Sequence, residues 1–199
     1  LKGIVGLLKP IDGRVVLTGA RHGRAAYLPQ QARIDFNFPL DVGEFVALGL
    51  WRRIGAFRGL SAADREAVAA ALHAVGLEGF ERRQIGTLSG GQMQRALFAR
   101  VLVEDCDLIL LDEPFSAIDA RTLVDLMKVI ERWRAEQRTV VIVLHDLDLV
   151  KSRFPTVLML AREKIAYGET GKVMTAEMLK RADALAESWD ESAPFCERV

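Results

Sequence analysis

Residues 87–114, TLSGGQMQRALFARVLVEDCDLILLDEP, hold the side chains best suited to chemistry. Ser89-Gly90-Gly91-Gln92 is a short polar turn, and it leads into a segment whose apolar residues, Ala96, Leu97, Ala99, Val101 and Leu102, recur at helical spacing. Such a turn offers backbone N–H groups, a serine hydroxyl and the positive end of a helix to an anion. The run Leu108-Ile109-Leu110-Leu111 has no polar residue to face water. That pattern predicts a buried parallel strand, which ends at Asp112-Glu113-Pro114. Two adjacent acids at the carboxyl end of such a strand stand where open α/β sheets keep their ligands.

The chain must supply a scaffold for these groups, and its composition allows one. At 199 residues with 50% hydrophobic content, one α/β domain with a sizeable core is expected. Lys plus Arg and Asp plus Glu balance at 27 each, which gives no reason to expect a nucleic-acid partner. Cys106 and Cys196 fall in no metal or redox spacing, a pattern that suits a reducing compartment. No signal peptide is visible, and no apolar run approaches the roughly 18 residues a membrane helix needs. If the protein works at a membrane, another chain must cross it.

In chain order, Leu1 to Pro10 has a helix's apolar pattern with a stop at proline, although no initiator methionine or capping segment precedes it. Arg14–Leu17 and Ala25–Leu28 read as short strands, the second ended by Pro29-Gln30. Asp41 to Leu50 and Ser61 to Val75 carry helical stripes, with Ser61 to Asp64 resembling a capping box. Trp51, Arg52, Arg53, Phe57 and Arg58 are read as a solvated face or a protein docking surface. Asp119 to Gln137 places Leu123, Leu126, Met127, Ile130 and Trp133 on one side of a helix. Thr139 to Leu144 reads as the next buried strand, with His145 at its carboxyl end. A closing hairpin is expected from Val157–Leu160 and Lys164–Gly168, then a polar helix over Thr175–Ala184 and a loose tail from Glu187. His22 and His73 are left structural, and Trp189 to Glu191 with Cys196 is assigned to the tail rather than to a metal site.

LSGGQ followed by LILLDEP, then Ser116-Ala117-Ile118-Asp119 and an isolated His145 after VVIVL, resembles the nucleotide-binding subunit of an ABC transporter. The resemblance runs from Leu1 to roughly Lys180. It implies an α/β fold, a P-loop NTPase-like core sheet with a helical subdomain. Residues 34–104 would be that subdomain including the turn, 105–185 the second part of the core and 186–199 a tail. In that family the N-terminal helix follows the phosphate loop G-x-x-x-x-G-K-[ST], which occurs nowhere in the 199 residues. The simplest account that the resemblance implies is a chain truncated at its N-terminus just after the loop, the other being a natural protein that dispenses with it.

The resemblance also implies roles and partners. ATP hydrolysis asks a protein to fix the phosphates, supply a metal and aim a water. Asp112 would hold Mg²⁺, with Gln30 reaching the same ion and the γ-phosphate; Gln30 is chosen over Gln31 because it directly follows Tyr-Leu-Pro. Glu113 would be the general base, and His145 would steady developing charge. Ser89, Gly90, Gly91 and Gln92 would hold the γ-phosphate of ATP bound to a second subunit paired head to tail, with Asp119 in the adjoining loop, where Ile118 replaces the usual leucine. Transmembrane permease subunits, an extracytoplasmic solute-binding protein and a peripheral place on the cytoplasmic face of the inner membrane follow from the same resemblance. The stretch 34–42, IDFNFPLDV, is similar to importer ATPases of the zinc, manganese and chelated-iron group. Two other readings are carried: a non-transport ABC ATPase acting on ribosomes or DNA, and a catalytically inactive fragment.

Overall fold

A computed structural model describes residues 1–18, 25–30, 38–55, 58–116 and 118–187. The expectations for His22, Gln31, residues 34–37, Phe57, Ala117 and the tail with Cys196 lie outside the described residues. The chain divides into two compact units, Leu1–Leu7 with Arg14–Val143, and Leu8–Gly13 with Leu144–Val199.

The first unit is built on a parallel sheet of β1 (Ala25–Leu28), β2 (Leu108–Asp112) and β3 (Thr139–Val143), in the order β1-β2-β3. Leu28 pairs with Leu111, and Asp112 with Val143. The middle strand is as apolar in its setting as in its sequence, with Ile109, Leu110 and Leu111 all buried. β3 departs from the buried strand expected. Val141 and Val143 are 38% and 40% exposed, because β3 is the last strand in this order and α5 covers one of its faces. Alternation along a strand then leaves every second side chain outward.

Between β1 and β2 the chain makes a helical excursion. Asp41 caps α1 (Val42–Ala47) through a capping box with Glu44, and a 3-10 turn over Leu48–Leu50 leads into α2 (Trp51–Ile54). Ser61 and Asp64 form the capping box of α3 (Ala62–Ala74), and α4 (Gly90–Glu104) returns the chain to the sheet. Phe45, Val46, Leu50, Leu72, Leu77 and Ile85 are buried among these helices. Gly49 permits the closest approach, since a Cβ there would lie 2.4 Å from the Arg100 carbonyl oxygen and 2.6 Å from Val103 Cγ2. After β2, α5 (Ala120–Ala135) buries Leu126, Met127, Val129, Ile130 and Trp133. The Trp133 ring stacks on Phe98 of α4, with centroids 5.9 Å apart.

Two N-terminal expectations fail. Leu1 to Pro10 forms turns, not a helix: Gly6 sits at φ 76° and Leu7 N–H donates to the Lys2 carbonyl, a register no α-helix uses. Arg14–Leu17 is not a strand; it finds no ladder partner among the described residues, and Val15 and Val16 are exposed.

The second unit holds α6 (Leu147–Arg153), an antiparallel hairpin of β4 (Thr156–Ala161) and β5 (Glu163–Glu169), then α7 (Thr170–Val173) and α8 (Ala176–Glu187). Leu158 pairs with Tyr167, and the register shifts between Met159 and Leu160. α8 packs on both strands of the hairpin.

Candidate active site at the end of the central strand

Parallel register sets the site. Tyr27 pairs with Leu110, so its side chain shares a sheet face with Asp112, two residues further along β2. Its hydroxyl donates to Asp112 Oδ2 at 3.1 Å. The Tyr27 hydroxyl is pushed up to about 12, first by burial and then by the hydrogen bond and charge of Asp112. It therefore stays a neutral donor. Tyr27 was not singled out from sequence, although the period-two relation to the strand end was available.

Glu113 has a left-handed backbone, φ 47°, which is uncommon for any residue but glycine. Its N–H donates to the Val143 carbonyl at 3.0 Å, holding the turn against the end of β3. Gln30 Nε2 donates to Glu113 Oε2 at 2.8 Å, across 83 positions of sequence. The Ser116 hydroxyl donates to the same oxygen at 3.2 Å. Thus Gln30, Asp112 and Glu113 share the carboxyl ends of β1 and β2. Among the described residues no cluster of three or more His, Cys, Asp and Glu side chains is placed to hold a metal ion.

The polar turn lies at the start of α4. Ser89 Oγ accepts from Gln92 N–H at 3.3 Å and Gln92 Oε1 accepts from Ser89 N–H at 3.0 Å, a reciprocal cap. The two glycines differ. A Cβ at Gly91 would lie 3.2 Å from Thr122 Oγ1 and 3.3 Å from Asp119 Oδ2, whereas one at Gly90 would meet no atom within 4 Å. Packing within the chain thus demands a small residue at 91 and nothing of the kind at 90. Asp119 caps α5, accepting from Thr122 N–H at 2.9 Å and from the Thr122 hydroxyl at 2.8 Å. The Thr122 backbone bond, then its hydroxyl, hold the Asp119 carboxyl below the usual carboxylate range. The glycine turn and the Asp119 turn therefore touch.

Two α4 side chains fasten that contact. Gln94 Nε2 donates to the Pro114 carbonyl at 2.7 Å. Arg95 donates to the Val75 carbonyl and to Asp125 Oδ2, both at 2.8 Å. Neither was singled out from sequence, because the partners lie 20 and 30 positions away.

His145 belongs to the second unit, where it is exposed and directly precedes Asp146, whose carboxylate caps α6. His73 pairs with Glu78 on the surface at 3.0 Å. Arg53 forms an ion pair with Asp64, and Trp51 is 57% exposed.

The pattern of one protein family, ABC transporter, matches residues 1–116. The manganese transport system ATP-binding protein MntB of Bacillus subtilis is 36% identical over 185 residues, 91% of this chain and 74% of that protein. MntB of Halalkalibacterium halodurans is 38% identical over 183 residues, 91% of this chain and 71% of that protein. A solved inward-facing structure assigned to the metal-chelate type of ABC transporter is 27% identical with a TM-score of 0.81, covering 92% of this chain and 71% of that one. The dimeric ATP-binding cassette MJ0796, bound to ADP and Pi, is 27% identical with a TM-score of 0.61, covering 74% and 63%.

Proposed function

We propose, from the premise that this chain belongs to the ABC transporter family of ATP-binding subunits, that it hydrolyses ATP to drive import of manganese, zinc or a metal chelate. The cargo rests on likeness to the two MntB proteins and the metal-chelate transporter, because no residue of an ATPase domain touches the solute. Family members bind adenine nucleotides, pair, and work with permeases. Among the described residues no helix is long and apolar enough to cross a membrane. By likeness to the transport ATP-binding proteins it resembles, the chain is proposed to sit peripherally on the cytoplasmic face of the inner membrane, beneath permease subunits served by an extracytoplasmic solute-binding protein.

The observation that carries the catalytic reading is the Gln30–Glu113 hydrogen bond at the open end of β1 and β2, beside Asp112. The donor set fits magnesium, which takes one or two carboxylates with the remaining oxygens from phosphate and water. Asp112, oriented by Tyr27, would hold the ion with Gln30 beside it. Bound there, Mg²⁺ would neutralise charge on the phosphates. Glu113 takes the proton of the attacking water, its carboxylate aimed by Gln30 and Ser116. The left-handed backbone at Glu113 is an expense of fold stability that active sites characteristically carry. His145 is assigned to stabilising charge that develops on the γ-phosphate.

Ser89, Gly90, Gly91 and Gln92 are assigned to the nucleotide of the opposite subunit in a head-to-tail pair, with Asp119 supporting the turn. Gly90 supports this reading: its lack of a side chain is unexplained by packing within the chain, and close approach of a phosphate would explain it. The test is ATP hydrolysis with a related cassette's phosphate-loop segment fused ahead of Leu1. The fusion should turn over, and Glu113→Gln should cut its kcat by about 10²-fold or more. Full turnover by Glu113→Gln would refute the assignment.

A further inference from the structure

We infer that Gln94 is a positioning residue for Glu113, fixing the acid's backbone through the Pro114 carbonyl. The inference rests on the assignment of Glu113 as the proton acceptor. Pro114 is buried, and a buried carbonyl requires a donor. Gln94 Nε2 is that donor, at 2.7 Å, reaching from α4 rather than from the sheet. On the other side of Glu113, its own N–H is fixed to the Val143 carbonyl at 3.0 Å.

Between these two anchors lie few free torsions. The pyrrolidine ring of Pro114 locks its φ. The remaining freedom is the φ and ψ of Glu113 and the ψ of Pro114. Glu113 sits at φ 47°, a conformation a glutamate would leave if it were not held. The Gln94 bond closes the short segment in which that strain is kept. The side-chain bonds from Gln30 and Ser116 aim the carboxylate, and the two backbone anchors set where it starts from. Arg95, the next residue on α4, ties the same turn to Val75 and Asp125, so the helix face that presents Gln94 is itself fixed.

The location gives the bond a second consequence. Gln94 lies one turn beyond the glycine corner that the head-to-tail reading gives to the partner's nucleotide, while Glu113 serves this chain's own. Displacement at that corner is felt at the acid through one side chain.

The experiment compares Gln94→Met, Gln94→Glu and Gln94→Lys in the assembled transporter, with Glu113→Gln as control. Methionine and glutamate keep the length but cannot donate; lysine restores a donor. The first two should lower kcat by about 10- to 100-fold, the effect of a misplaced catalytic group, with the KM for ATP moving less than about 2-fold. Both should also melt a few degrees below the parent, because the Pro114 carbonyl loses its donor, and Gln94→Lys should recover most of the turnover and of the melting temperature. Wild-type kcat in Gln94→Met overturns the inference. So does a parallel fall of kcat and melting temperature in all three variants, which would mark a packing role. If instead Glu113→Gln retains full turnover, the assignment of Glu113 fails and this inference falls with it.

Discussion

Replacing Glu104 with glutamine should stabilise the protein at alkaline pH and leave it unchanged in acid. Glu104 is the last residue of α4, and its carboxyl is raised from 4.5 to about 7, mainly by burial. Arg100 and Arg52 pull it back down but do not overcome the loss of water. The folded state thus holds a proton up to about pH 7 that the unfolded chain releases near 4.5. Between those values the folded state binds more protons, so stability falls as pH rises and is level above about 7. The difference is worth about 3 kcal/mol, since each pKa unit carries about 1.4 kcal/mol. Asp64, Asp119, Asp125 and Glu136 have lowered carboxyls and lose stability as pH falls, the opposite direction. Subtracting the parent from the variant removes their contribution. Urea denaturation from pH 4 to 8 should give a difference near zero at pH 4 that grows to about 3 kcal/mol at pH 8. A difference independent of pH, or a parent more stable than the variant at pH 8, would show that the two arginines keep Glu104 ionised.

The glycines give two further tests. Gly90→Ala, with open space around its new methyl, should leave the melting temperature unchanged yet depress ATP turnover of the paired subunits. Gly91→Ala needs Thr122 and Asp119 to give by a few tenths of an ångström, which offsets the helical gain of alanine, so a net change within about 1 kcal/mol is expected in chemical denaturation. Gly49→Ala would drive a methyl group into the backbone of α4, and a loss of about 3 kcal/mol or more, or failure to fold, is expected by denaturant titration.

What could be read from sequence was what depends on local pattern. β2 was legible because four consecutive apolar residues suit a buried strand, the start of α3 because Ser61 is followed by the Asp64 that completes its capping box, and the start of α4 because the polar turn at Ser89 leads into a helical stripe. Asp119 was legible as the opening of a long amphipathic helix. The failures fall where the outcome depends on neighbours. Thr139–Val143 carries the same apolar pattern as β2 but stands at the end of the strand order. Leu1 to Pro10 has helical periodicity, which the left-handed Gly6 overrides. α6 was not legible although Asp146 supplies a cap and Leu147 and Val150 a stripe, because seven residues make barely two turns and carry too little periodicity to mark a helix. At the site, Gln30 was assigned by its place after a strand, whereas Tyr27, Ser116 and Gln94 enter through contacts that no spacing rule announces.

The helix α4 is fastened at both of its ends. Asp105, Cys106 and Asp107 alone separate it from β2, and Arg138 grips that joint through the Asp105 carboxylate at 2.7 Å and the Cys106 carbonyl at 3.2 Å. Near the other end Gln94 and Arg95 tie it to Pro114, Val75 and Asp125. A helix of fifteen residues is about 22 Å long, so tilting this crossbar by about ten degrees about its gripped joint would sweep the far tip through about 4 Å. With no slack at either fastening, such a swing must drag the carboxylate turn along or snap the tie to it.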